Sequence, residues 1–293
     1  MTRLAAWWFA PAPATRIAAL RIAIGSYAFA YVVMRTPELL AVARLPAADF
    51  APYGVTRALA APLPPGAVLA IAVATCALLA AFTLGLAYRA VAPLAAAALL
   101  WTLSYRNAWG QLFHTEDLLV LHVIALACAP AADAWALRRP RAPAAAGYGW
   151  PVRLLVALTA ATYLLAAIAK LRLAGLAWVD GAQLRDQIAV DNLRKAVLGD
   201  PVGPLAGLLL DHPGALWAAS IGTLVIELGA PIALVGGRVG RLWAVAAWAF
   251  HLGVLLTMNV VFPYPLSGVA LLPLFPVERV IQVAREWRRR RAG

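Results

Sequence analysis

Long apolar runs limit what this chain can become. Residues 17–34, 66–87, 90–104, 112–129, 151–171, 215–235 and 242–261 are almost unbroken hydrophobic sequence, and roughly 18–20 such residues make a membrane-crossing helix. An eighth stretch, 266–277, is shorter and carries Pro273 and Pro276, so it either spans with help from residues 278–283 or only re-enters. Charged residues are 13% of the sequence, against roughly one-quarter in a soluble domain. The expected fold is therefore all-α. It is a polytopic membrane helical bundle of about eight transmembrane helices, with seven as the alternative, in one domain over residues 1–293 with no large soluble part.

The formal net charge is +12, from 25 basic and 13 acidic residues. The arginines stand in short clusters between apolar runs and in the stretch 288–291, where they flank a bilayer. Membrane lipids are thus expected partners and nucleic acid is not. With eight spans, one side receives Arg3, Arg16, Arg89, Arg138, Arg139, Arg141, Arg153, Arg238, Arg241 and the basic tail 279–293. The positive-inside rule makes that side cytoplasmic. Both termini are then cytoplasmic and the longest connection, 172–214, is external. Near the N-terminus, Arg3 precedes a short apolar patch interrupted by Pro11 and Pro13, which reads as part of a retained signal-anchor rather than a cleaved signal peptide.

Inside the external connection, Asp180 and Gly181 precede a segment in which Leu184, Ile188, Leu193 and Val197 make an approximate apolar stripe among charges, and Gly199 offers a stop. This predicts an amphipathic helix over 182–198 that lies on or caps the outer face. Residues 36–65 are rich in proline and turn signals and read as a lid or a linker. Cys76 and Cys128 fall in separate runs without Cys or His at metal-ligand spacing, so neither a disulfide framework nor a metal site is expected.

Ionisable groups within spans are costly and mark function by default. They are Arg21, His122, Lys170, Glu227 and His251, with His114 and Asp117 at the start of the 112–129 run. Following the chain in and out puts His114, Asp117 and Lys170 at an outer level and His122, Glu227 and His251 near mid-membrane. Lys170 stands out because Lys195 is the only other lysine among 25 basic residues, and burial readily removes the proton of an amine but not of a guanidinium.

Thr159, Tyr163, Ala166, Ala167 and Lys170 share one helix face. Two alanines separate a phenol from an amine and leave a groove for a flat apolar ligand. A neighbouring helix packed on the small residues, with Lys170 reaching the headgroups, would produce the same pattern. His114 and Asp117 are three apart, so the carboxylate can orient the imidazole, or both are ordinary residues of a helix start. Glu227 needs a proton or a partner. His251, His122 and Arg21 are the candidates, for a structural bridge or a proton relay. Haem ligation by His122 and His251 has weak support, with one histidine per helix.

The order of these residues carries a resemblance. The segments are Tyr163-Leu-Leu-Ala-Ala-Ile-Ala-Lys170-Leu171 followed by Trp178-Val179-Asp180-Gly181, the helix start Phe113-His114-Thr115-Glu116-Asp117-Leu118-Leu119, the exit 130–135, Glu227-Leu228-Gly229-Ala230-Pro231, and Phe250-His251-Leu252. Together they resemble the vitamin K-dependent gamma-carboxylase family, whose membrane module is known in bacteria as the horizontally transferred transmembrane (HTTM) domain. The resemblance covers residues 16–277 and implies a bacterial module-only member in the cytoplasmic (inner) membrane.

What the resemblance implies is a base role for Lys170. In that family the lysine, neutral in a dry site, deprotonates a vitamin K hydroquinone, whose anion reacts with oxygen. The resulting alkoxide removes a proton from the gamma carbon of a glutamate, carbon dioxide adds, and the quinone leaves as the epoxide. His114 would assist proton handling or hold the quinone oxygen, and Tyr163, Trp178, Asp117 and Ala166 would line the site. The implied cofactor is reduced vitamin K or menaquinol, with no metal. Two other classes stay open: a non-catalytic membrane component that binds a lipid or an unidentified protein partner, and, with less support, a transporter or haem-binding electron carrier.

Overall fold

The computed structural model describes residues 2–137 and 147–279. Arg138, Arg139, Arg141 and the part of the basic tail from residue 280 onward, which the charge argument placed at the cytoplasmic surface, lie outside the described residues. The described part is helical, with no strand among those residues and no separate soluble domain. Its helices are α1 (Arg3–Trp8), α2 (Ala14–Val42), α3 (Pro65–Leu84), α4 (Tyr88–Arg106), α5 (Asp117–Ala127), α6 (Gly149–Ala174), α7 (Leu176–Val179), α8 (Ala182–Leu198), α9 (Ala206–Leu210), α10 (Pro213–Leu228), α11 (Gly237–Met258) and α12 (Pro263–Leu266), with 3₁₀ turns between several of them.

Four of these, α2, α3, α6 and α11, are long and apolar enough to cross a membrane. The remaining apolar runs take other forms. α4 has 19 residues but carries Arg89 and Arg106 near its ends. The 112–129 run opens in a 3₁₀ turn, His114–Glu116, and leaves 11 helical residues in α5, about 16 Å at the usual rise. Gly229 and Pro231 stop α10 after Leu228, and a 3₁₀ turn, Ala230–Val235, follows. Pro273 sits inside another 3₁₀ turn, Val269–Leu274. Proline lacks the N–H that a continuing α-helix needs, so hydrophobicity persists in these runs after helical regularity has ended.

The chain forms two compact units, Met1–Leu155 with Pro276–Gly293, and Val156–Phe275. In the first, α2 packs on α3, α3 on α4, α4 on α5, and α5 closes the ring against α2. Ile17, Leu20, Ile24, Leu79, Phe82 and Leu99 are fully buried among them. Arg21 is buried there too. Its guanidinium donates to the carbonyls of Thr83 (3.2 Å), Ala131 (2.7 Å) and Trp135 (2.7 Å). Gly85 ends α3 at φ +72°, and a side chain there would collide with Arg21. A glycine is therefore needed both for the left-handed turn and for the close approach. Arg153 ties the N-terminal segment down through the carbonyls of Trp8 and Ala10, and Arg16 clasps Glu278 with two bonds of 2.7 and 3.0 Å.

In the second unit, Val156, Ala160 and Tyr163 of α6 pack against Ala230 and Ala233 and against Trp243, Ala244 and Ala247 of α11. α10 and the turn after it run antiparallel to α6: Ser220 bonds the Trp178 carbonyl, Glu227 meets Lys170, and Ala230 and Ala233 join the Val156–Tyr163 cluster.

Helix α8 runs between Gly181 and Gly199, both left-handed. Its orientation differs from the apolar stripe read in the sequence. Ile188, Asn192 and Lys195 are buried, whereas Leu193 and Val197 are 65% and 77% exposed. The turned-in positions are the ones that bond the end of α11. Asn192 Nδ2 reaches the Thr257 carbonyl at 3.0 Å, and Lys195 Nζ bonds the Met258 carbonyl and Asp191.

Candidate functional site

Lys170 projects from the last turns of α6 onto Glu227, one residue before the end of α10. Its Nζ lies 2.5 and 2.8 Å from the two carboxylate oxygens. The two groups, expected at different depths, are in direct contact. The partner of Glu227 is thus the lysine, and not His251, His122 or Arg21. The reason lies in the end of α10: Glu227 occupies its final turn, where unsatisfied carbonyls make a cation welcome.

Trp178 closes one side of the pair. The left-handed Gly175 lets the chain turn from α6 into α7, and the buried indole comes within 5.3 Å of the ammonium, a cation–π distance. Ser220, two turns before Glu227 on α10, donates to the Trp178 carbonyl and fixes that loop.

Two turns back along α6, Tyr163 is buried against Trp243, with the rings nearly perpendicular and their centroids 5.1 Å apart. Its hydroxyl meets His251 Nε2 at 2.8 Å. Trp243 in turn donates from Nε1 to the Ile226 carbonyl at 2.9 Å, linking the tyrosine's support to the residue before Glu227. The phenol is therefore occupied, and the face of α6 carries two polar pairs, Tyr163–His251 and Lys170–Glu227, with Ala167 buried and Ala166 partly exposed between them. Two buried polar atoms of this unit, Trp178 Nε1 and His251 Nδ1, have no hydrogen-bond partner.

His114 and Asp117 belong to the first unit. Both are exposed, on the 3₁₀ turn and at the first residue of α5. His122 is fully buried, with Nε2 3.1 Å from the Leu155 carbonyl.

Glu116, one of the two residues between His114 and Asp117 in the same motif, is 2% exposed and accepts from Arg106 at 2.5 Å and Tyr31 at 2.6 Å. Arg106 also grips Glu38 at 2.6 and 3.0 Å and stacks on Phe113, 3.6 Å from the ring centroid. This cluster pins the start of α5 to α2 and α4. Neither Arg106 nor Glu116 stands out in the sequence: Arg106 follows an apolar run, and Glu116 sits in an acidic stretch of the kind that opens many helices. The available signal was that Glu38 and Glu116 are two of only 13 acids in the chain and both lie near runs that end beside arginines.

The family model for the HTTM domain matches residues 9–278. The chain belongs to the HTTM domain family. The match covers nearly the whole chain, and with four helices of crossing length the HTTM domain is an integral membrane protein. Among curated proteins and among solved structures, none matches this HTTM chain. Among the described residues, no group of three His, Cys, Asp or Glu side chains is arranged to hold a metal ion.

Proposed function

We propose that this protein is a quinone-linked membrane enzyme with Lys170 as general base. It would act on a hydroxyl-bearing, quinol-like lipid in a bacterial cytoplasmic membrane, with both termini on the cytoplasmic side. One observation carries the reading: a lysine and a glutamate are joined within an integral membrane protein, beside an indole N–H without a partner. Ionisable residues within membrane-spanning helices are expensive and mark function by default, and a buried donor left unpaired costs about 1–3 kcal/mol.

A quinol head is the ligand this reading favours. A flat ring carrying oxygens could accept a hydrogen bond from Lys170 Nζ and extend over the partly exposed Ala166, while the Trp178 indole, buried together with its Nε1, would have to turn to offer that N–H to a second oxygen. Reduced vitamin K or menaquinol has that form and brings reducing power toward oxygen. Lys170 would hold the hydroxyl oxygen. Both oxygens of Glu227 face the amine, so a proton passed from Nζ to the carboxylate leaves a neutral amine able to take the ligand's proton. The Trp178 face then stabilises the ammonium that results. His251, held by Tyr163, keeps Nδ1 for a second polar group of the ligand.

Reconstitution in liposomes with reduced vitamin K or menaquinol, oxygen and bicarbonate tests this, with epoxide formation and carbon dioxide fixation as readouts. Turnover is expected in the parent and absent from Lys170→Ala and Lys170→Arg. Full turnover in Lys170→Ala would sink the base assignment. A second reading is favoured by the completeness of the Lys170–Glu227 pair, which is also what a structural bridge needs: a non-catalytic component that binds a lipid or a partner protein. That reading expects quinol or lipid binding without turnover, unchanged in Lys170→Arg.

A further inference from the structure

The end of α11 is sealed by protein. A helix terminus leaves its last carbonyls without intrahelical partners, and in water solvent satisfies them. Here every carbonyl from Leu255 to Asn259 is bonded within the chain. Leu255 accepts from the Asn259 N–H at 2.8 Å, and Leu256 from the Leu205 N–H at 2.9 Å. Thr257 accepts from Asn192 Nδ2 at 3.0 Å, Met258 from Lys195 Nζ, and Asn259 from Lys195 Nζ at 3.3 Å. Gly203 N–H in turn donates to Asn192 Oδ1 at 2.6 Å, and Asn259 Nδ2 donates to the Pro201 carbonyl at 2.9 Å. Such complete internal bonding is what a helix end requires where no water reaches it.

The segment that makes this seal is built inside out for a cap in water. α8 turns Asn192, Lys195 and Asp191 toward α11 and turns Val190, Leu193, Val197 and Leu198 outward. The outward residues are of the same type as Leu242 and Val245, the exposed side chains of α11 itself. Beyond Gly199 lies a groove of about 580 Å³ lined by Leu205, Leu208, Leu209 and Thr257 and, where α9 gives way to α10, by Asp211 and His212. Arg185, Asp186 and Arg194 are largely exposed; the arginine stems are long enough to lift their charges to headgroups, and Asp186, 3.3 Å from Arg185, stands toward the start of α8, before the stripe begins.

We propose that the connection between α6 and α10 is inserted into one leaflet rather than held in water. The stripe Val190, Leu193, Val197 and Leu198 and the groove walls Leu205 and Leu208 then lie among lipid acyl chains. The surface takes lipid as its partner, as the exposed Leu242 and Val245 of α11 do. This holds whatever chemistry occurs at Lys170.

The test uses the full chain in lipid nanodiscs, with Cys76 and Cys128 replaced by alanine and single nitroxides at Leu193→Cys, Val197→Cys and Leu208→Cys. Val245→Cys on α11 serves as the membrane-facing reference and Tyr53→Cys as a second site for comparison. Power saturation with oxygen and with a water-soluble nickel chelate should give the three α8–α9 labels the α11 pattern, strong oxygen collision and weak chelate collision. Strong chelate collision at Leu193 and Val197 overturns the proposal. So does exclusion of both agents, which would mean that a second copy or a partner protein covers the stripe. Hydroxyl-radical footprinting of the unsubstituted protein guards against labels that disturb folding. Val190, Leu193, Val197 and Leu198 should stay unmodified in nanodiscs, and heavy oxidation of them also overturns the proposal.

Discussion

Lys170 and Glu227, 57 residues apart in sequence, meet through both carboxylate oxygens at the point where α6 passes the last turn of α10. Only about a quarter of the lysine side chain is exposed, and 3% of the glutamate. Removing one partner of a buried pair commonly costs about 3–5 kcal/mol, whereas replacing both with apolar residues of similar volume is often neutral. Lys170→Leu, which strands the more deeply buried charge, should therefore destabilise more than Glu227→Leu. The double substitution should recover to within about 1 kcal/mol of the parent while remaining inactive toward any quinol. Thermal unfolding of the four proteins in one detergent measures this. A double variant no more stable than Lys170→Leu would show that the pair does not hold α6 to α10.

The Tyr163–His251 contact sets a separate expectation. His251 Nδ1 is already without a partner, and Nε2 depends on the tyrosine hydroxyl. Tyr163→Phe keeps the ring against Trp243 but strands the whole imidazole, at a cost of about 1–3 kcal/mol. Adding His251→Phe removes the stranded group, and the pair of substitutions should be less destabilising than Tyr163→Phe alone. Equal stability of parent and Tyr163→Phe in denaturant titrations would mean that the hydrogen bond contributes nothing.

How far the sequence could be read depended on which rule applied. Lys170, Glu227 and His251 were visible because charge is rare in apolar runs. Their pairing was not, because depth was assigned by counting residues along idealised spans, and Gly229 and Pro231 end α10 before its hydrophobicity ends. The limits of α8 were legible in Gly181 and Gly199, which supply the left-handed turns at each end. Its facing was not, because an amphipathic pattern was referred to water outside. Asn192 and Lys195 instead point inward to serve the carbonyls at the end of α11, a tertiary demand with no local signature. Glu116 was hidden by its company: Thr115, Glu116 and Asp117 suit any helix start, and only the fold brings Arg106 and Tyr31 to one of them.

Arg106 is expected to resist even conservative change. Its guanidinium bonds Glu116 from one nitrogen and Glu38 from two others while stacked on Phe113. An ammonium offers no planar fork to match two carboxylates and no ring-like face for the stack. Arg106→Lys should cost about 1.5–3 kcal/mol, the scale of one lost hydrogen bond to a charged group. Glu38→Gln should cost less, since that carboxylate is about a third exposed and exposed pairs contribute little. Melting temperatures ranking Glu38→Gln below Arg106→Lys would contradict this account.

The seal on α11 also has a pH signature. Burial pushes the Asp191 carboxyl up, but the hydrogen bonds from Lys195 and Arg194 outweigh it and hold the group below its usual range. A carboxyl whose value is lower in the folded than in the unfolded chain stabilises the fold fully above the unfolded value, about 3.9 for aspartate. That stabilisation is lost as pH falls from there through the folded value. The parent should therefore exceed Asp191→Asn in stability by a constant margin between about pH 5 and pH 8, and the margin should close below about pH 4. Lys195 would still bond the Met258 carbonyl in the variant, so the margin reports the ion pair and not the whole seal. Amide exchange over residues 252–259, compared at neutral and acid pH, reads it directly. An unchanged margin at acid pH would mean that the charge of Asp191 plays no part in holding α8 to α11.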